Sequence, residues 1–277
     1  MEGDATISPD GNIELNTDSP ICVGRLTYAQ PLRLWDSSKG VATDFSTRFS
    51  FTIADPTQSL DSLGDGFAFY MAPINFPIPP NSAGLYLGLF NSSTSKDESK
   101  NSIVFVEFDI CANQDIDPSF PHVGINQDSL RSLNHTGFDI KDNLGKLGHA
   151  LISFNATTEY LTVYWSFNTS ITDFPSNCTL SRRIDFMKAL PEWVTIGFTS
   201  STGIRAERHI IHSWEFNSTL NSTSRNSTRS IRGVAESNNN NELPNMRESA
   251  PLSNPNQENS SLTQSQTVTT SFDKVGR

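Results

Sequence analysis

Between residues 45 and 53 the chain alternates strictly, with Phe45, Thr47, Phe49, Phe51 and Ile53 on one side and Ser46, Arg48, Ser50 and Thr52 on the other. A period of two belongs to a β-strand with one face in a core and one in water. Similar runs recur at 67–72, 103–110, 147–154, 160–167, 193–200 and 209–216, separated by Gly, Pro, Asn and Ser clusters that read as turns. Only 183–190 has a helical pattern, and Pro191 ends it. Strands that follow strands, with no amphipathic helix between them, predict an all-β fold of two antiparallel sheets packed as a β-sandwich.

Beyond Phe216 the pattern stops. Asn, Ser, Thr, Gln and Pro dominate, and Phe272 is the only aromatic residue left. Such a segment buries too little apolar area to offset the entropy of ordering it. The expected organisation is one domain over 1–219 and a disordered, Asn/Ser/Thr-rich tail or glycosylated stalk over 220–277.

Composition narrows the partners. The 18 phenylalanines of the 277 residues are ample for one core. A net charge of −10 without a basic stripe argues against nucleic acid and against adhesion to anionic membranes. No apolar stretch approaches the roughly 20 residues of a membrane span, and Met1-Glu2-Gly3-Asp4 does not read as a signal peptide. Cys22, Cys111 and Cys178 show no zinc-type spacing. Asn-x-Ser/Thr acceptors at Asn91, Asn134, Asn155, Asn168, Asn177, Asn217, Asn221, Asn226 and Asn259 point to the secretory pathway, hence to a secreted or cell-surface protein.

The chemistry concentrates between residues 106 and 122. Glu107 and Asp109 share a strand face, the loop that follows carries Asn113 and Asp117, and His122 opens the next strand. Carboxylates, an amide oxygen and a backbone carbonyl make a hard oxygen cage for calcium, while a site that includes imidazole suits a transition ion such as manganese. Three carboxylates this close repel one another without a cation. From spacing alone, a solvated acidic turn with a surface histidine remains the alternative.

This segment resembles the legume lectins and the lectin ectodomains of plant receptor kinases, in the pattern V-E-F-D-x-x-x-N-x-x-x-D-P-x-x-x-H-I/V-G-I. Gly3-Asp4-Ala5, Gly24-Arg25 with Tyr28, Leu34-Trp35-Asp36, Asp65-Gly66-Phe67-Ala68-Phe69, Leu87-Gly88-Leu89-Phe90, Leu190-Pro191-Glu192-Trp193-Val194 and His209 with Ser213-Trp214 match in the same order. The resemblance implies a concanavalin-like jelly roll that binds glycans or glycoproteins and is not an enzyme. It implies Ca2+ held by Asp109, Asn113, Asp117 and the Cys111 carbonyl, and Mn2+ or another transition ion held by Glu107, Asp109, Asp117 and His122. Ser132 matches a serine that holds an ion-bound water. Sugar binding would rest on Asp65 and Asn113, with a cis peptide before Asp65, and a homodimer through edge strands would fit.

Departures from the pattern bear on specificity. Leu85 stands where a glycine donates its N–H to the sugar, adding bulk at the rim, and Cys111 replaces an aromatic platform residue. In the loop 203–207, Ile204 and Arg205 stand at the rim. The family's first strand is expected to be missing ahead of Gly3, and no kinase motif follows. Sandwich-shaped glycan hydrolases carry Glu-x-Asp-x-Glu; here Cys111 stands at the third position, so hydrolysis is not expected. The alternative function is a lectin-like defence, storage or protein-interaction module with weakened or lost sugar binding.

Overall fold

The computed structural model describes residues 1–54, 64–96, 98, 101–167, 179–222 and 262–271; Cys178 and the acceptors Asn168, Asn177, Asn226 and Asn259 lie outside them. One sheet runs, in spatial order, Glu2–Gly3 (β1), Val23–Thr27 (β4), Trp193–Ser201 (β16), Gly66–Pro73 (β9), Val104–Asp109 (β10), His122–Gln127 (β11) and Asn134–Gly137 (β12). Leu32–Arg33 (β5) pairs beside β16. The other runs Thr179–Arg183 (β15), Tyr160–Ser166 (β14), Gly148–Asn155 (β13), Asp44–Ala54 (β8), Arg208–Ser222 (β17), Ile13–Glu14 (β3) and Thr6–Ile7 (β2). A small pair, Trp35–Asp36 (β6) and Val41–Ala42 (β7), stands apart.

The alternating run becomes β8, and Phe45, Thr47, Phe49, Phe51 and Ile53 are all buried on it as expected. The four apolar ones share one core with Phe67, Phe69, Phe108, Ile196 and Phe198 of the first sheet. Aromatic edges interlock there: Phe49 meets Phe198 edge-on at 4.9 Å, while Phe67 and Phe108 stack at 4.8 Å with planes 2° apart.

One element is shorter than expected. Within 183–190 only Phe186–Ala189 (α1) is helical, because the strand Thr179–Arg183 pairs with β14 up to Arg183. Asp185 caps the short helix by accepting the Lys188 N–H. Of the tail expected over 220–277, the described residues are 220–222, at the end of β17, and Leu262–Ser271 (β18), which pairs antiparallel along β17 from Ser213 to Ser222; the rest lies outside the described residues.

The outer face of the first sheet is not wet at its centre. Every residue of β10 is buried, and Ala68, Tyr70, Ala72 and Phe105 form a second apolar cluster with Leu87, Leu89, Phe90, Ile103 and Leu130. The segment between β9 and β10 therefore lies over the sheet as a cover. Arg25, fully buried on β4, holds it: the guanidinium donates to the carbonyls of Phe76 and Gly88, each at 2.7 Å, and lies over the Tyr70 ring at 5.0 Å.

Candidate functional site

The antiparallel register of β10 and β11 sets Asp109 opposite His122 and Glu107 opposite Gly124. Because side chains alternate, Glu107 and Asp109 project from the same face, and one ligand atom from each of Glu107, Asp109 and His122 lies within 4.8 Å of the others. Gly124 makes the room: a Cβ there would collide with Ser132 Oγ and Glu107 Oε1. Ser132 Oγ donates to Glu107 Oε1 at 2.6 Å, and His122 Nε2 lies 3.2 Å from the same oxygen.

The loop after β10 folds back on itself. The Asn113 N–H donates to Asp117 Oδ2 at 2.8 Å, the Asp117 N–H donates to the Asn113 carbonyl at 3.0 Å, and Asn113 Nδ2 donates to the Cys111 carbonyl at 2.8 Å. Burial, then the charges of Glu107 and Asp117, push the Asp109 carboxyl well above the usual carboxylate range. Asp117 is raised as well, by burial first and by Glu107. Asp109 Oδ1 and His122 Nδ1 are buried and meet no hydrogen-bond partner among the described residues. A buried carboxyl oxygen without a donor, next to an imidazole, fits a divalent cation.

A second group of residues converges beside the first. Asp65 ends the connection into β9, its peptide bond with Gly64 is cis, and its carbonyl accepts the Ile110 N–H at 2.9 Å. The carboxyl is almost wholly buried yet lies against two bare backbones: a Cβ on Gly203 would come within 2.8 Å of Asp65 Oδ2, and one on Gly84 within 3.6 Å. Gly84, at a φ of +69°, is sewn to the end of β16, its N–H donating to Thr202 O at 3.2 Å and its carbonyl accepting Ser201 Oγ at 2.6 Å. Burial and the Glu207 charge lift the Asp65 carboxyl to about 6, against the opposing pull of His209, the Gly203 N–H and the Asn113 side chain. Asp65 and Asn113, 48 positions apart by their numbers (113 − 65), thus come close enough for the Asn113 side chain to act on the Asp65 carboxyl.

A Legume lectin domain model matches residues 1–232. The chain belongs to the legume lectin family. It is 41% identical over 231 residues to Agglutinin-2 of Cladrastis kentukea, covering 80% of this chain and 77% of that one. It is 40% identical to L-type lectin-domain containing receptor kinase IX.1 of Arabidopsis thaliana, covering 79% of this chain and 34% of the kinase, about a third of that relative's length. Among solved structures, lectin UEA-II complexed with galactose superposes with a TM-score of 0.68 at 35% identity, covering 79% of this chain and 92% of that one.

Within this legume lectin domain the residues expected at a rim differ in exposure. Leu85 packs half-buried against the second apolar cluster, so part of the bulk expected at the rim is absorbed by the cover. Ile204 is 92% exposed, and Arg205 is exposed with its Cβ beside Gly64. Cys111 is half-buried against Gly64, a Cβ on which would lie 3.4 Å from its Sγ. Gly84 carries no mark in the sequence that separates it from any turn glycine; its approach to Asp65 is visible only in three dimensions.

Legume lectins bind metal ions, and the Glu107, Asp109 and His122 cluster offers a site for one. Among the described residues no helix is long and apolar enough to cross a membrane.

Proposed function

We propose that this domain binds carbohydrate, in a calcium-dependent manner, at a pocket formed by Asp65, Asn113, Gly84 and Gly203. The observation that carries this reading is the Asp65 carboxylate, buried but flanked by glycines where any side chain would fill the space in front of it. A carboxylate there accepts hydrogen bonds from a pair of adjacent sugar hydroxyls, and the Asn113 amide donates one. Leu85, Ile204, Arg205 and Cys111 surround that pocket and set which glycan fits.

Asp109, Asn113, Asp117 and the Cys111 carbonyl would hold calcium. Glu107, Asp109, Asp117 and His122 would hold a transition ion such as manganese, with Ser132 placed for a bound water. The cations supply the positive charge that lets these carboxylates ionise together. The chain itself then keeps the Asn113 loop in the fold described, with the amide held against the Cys111 carbonyl. Glycans or glycoproteins outside the cell are the partners this reading assigns, and the acceptor asparagines support a secreted or cell-surface location.

A glycan array tests the assignment directly. Protein loaded with calcium and manganese is expected to capture a discrete set of glycans, and chelation or the Asp65→Ala, Asn113→Ala double substitution is expected to remove the signal. A folded, metal-loaded protein that captures no glycan would sink the carbohydrate assignment in favour of a lectin-like interaction module.

A further inference from the structure

Behind the pocket lies a ring of buried polar side chains that touches no proposed ligand. Glu207 has no exposed surface, and its Oε2 accepts the backbone N–H of Gly64 at 2.7 Å. Its Oε1 lies 3.1 Å from His209 Nε2, at ion-pair distance but out of hydrogen-bond alignment. On the other side of the imidazole, Nδ1 meets Ser200 Oγ at 2.8 Å and Asn16 Oδ1 at 3.0 Å. Asn16 closes the ring, its Nδ2 donating to the Glu207 carbonyl and its Oδ1 accepting the His209 N–H.

A buried carboxylate is an expensive way to fill a core, since apolar residues of similar volume do so without the desolvation penalty. What this one adds is direction. A charge-assisted bond to Glu207 fixes the N–H of Gly64, the residue before Asp65, while the ring fixes Glu207. The remaining backbone ties of Asp65 are its N–H to Ser201 O at 3.3 Å and its carbonyl to the Ile110 N–H.

We propose that Glu207, braced by His209, Asn16 and Ser200, is the positioning residue of the carbohydrate site: by holding the Gly64 amide it aims the Asp65 carboxylate between Gly84 and Gly203. The proposal rests on the carbohydrate reading above. Ligand contact stays with Asp65 and Asn113; Glu207 acts through the backbone.

The test compares Glu207→Gln, which keeps an acceptor oxygen, with Glu207→Leu, which fills the volume without one, in metal-loaded full-length chain. The leucine variant is expected to lose at least tenfold in affinity for the glycan that best binds the wild type, while glutamine stays within about threefold. Both should retain the wild-type rise in Tm on metal addition. Hydrogen exchange at the Gly64 amide should accelerate at least about tenfold in the leucine variant alone, a readout that needs no sugar. Unchanged exchange and affinity in the leucine variant would overturn the proposal, as would parallel loss of metal response and binding in both variants. Should the leucine variant not fold, Glu207→Asp, one methylene too short to reach Gly64, answers through the same readouts. A wild type that binds no glycan removes the carbohydrate reading, and Gly64 exchange then decides the positioning claim alone.

Discussion

Stripping divalent ions from the protein at pH 7 is expected to lower its Tm by roughly 10 °C, and by much less at pH 4.5. A cation held at a thousandfold excess over its Kd stabilises a fold by about 4 kcal/mol, and each kcal/mol shifts Tm by about 2–4 °C in a domain of this size. The pH dependence follows from the raised carboxyls. Without metal, folded Asp109 and Asp117 keep their protons above the range in which the unfolded chain loses them. The folded state then binds more protons than the unfolded one, so metal-free stability falls as pH rises through that window. Cation binding requires those same groups ionised, so the metal-loaded form gains as pH rises. Differential scanning calorimetry across pH 4 to 7.5, with metal and with chelator, reads the gap between the two curves. A gap that does not widen with pH would contradict a carboxylate-held cation at Asp109.

Phe108→Ala should destabilise the domain by about 3–5 kcal/mol, the cost of truncating a fully buried phenylalanine. Phe108 has no exposed surface, stacks on Phe67, meets Phe51 at 5.3 Å and abuts Phe138 edge-on at 5.6 Å. It also separates Glu107 from Asp109 on β10, so the cavity opens directly beneath the acidic cluster. Denaturant unfolding of the metal-loaded protein should show the loss, and titration with the cation should show weakened affinity. A cost below about 1 kcal/mol would mean that neighbouring rings refill the space and that the stacked pair is not what anchors β10.

Much of this was readable where the determining interactions are local. The alternation over Phe45–Ile53 placed the inner face of β8 correctly, since a core on one side suffices to make a period of two. Glu107, Asp109 and His122 could be grouped because they sit on two consecutive strands, where the register follows from a single loop. The helical pattern over 183–190 is realised at Phe186–Ala189 and starts late, because ladder pairing with β14 claims Arg183 and Asp185 serves as the cap. Leu262–Ser271 has only two apolar residues, Leu262 and Val268, so its sequence carries no strand period; the pairing along β17 is a backbone ladder. The burial of both faces of β10 comes from a cover whose apolar residues, Leu87 to Phe90, look like an ordinary strand core in sequence. Glu207 is hardest of all, since its partner Gly64 lies 143 positions away and no periodicity joins them.

Arg25 reaches the carbonyls of Phe76 and Gly88, on either side of the stretch that carries Gly84 and Leu85. One cation thus staples both ends of a rim segment to a strand that has no part in the main aromatic stack. Between the staples Gly84 is held by its approach to Asp65, but residue 85 can change size, its side chain settling into the small outer cluster instead of the principal core. On the proposed carbohydrate reading, ligand preference is then separable from foldability: position 85 could change at low risk, leaving the acidic loop and the sandwich as they are.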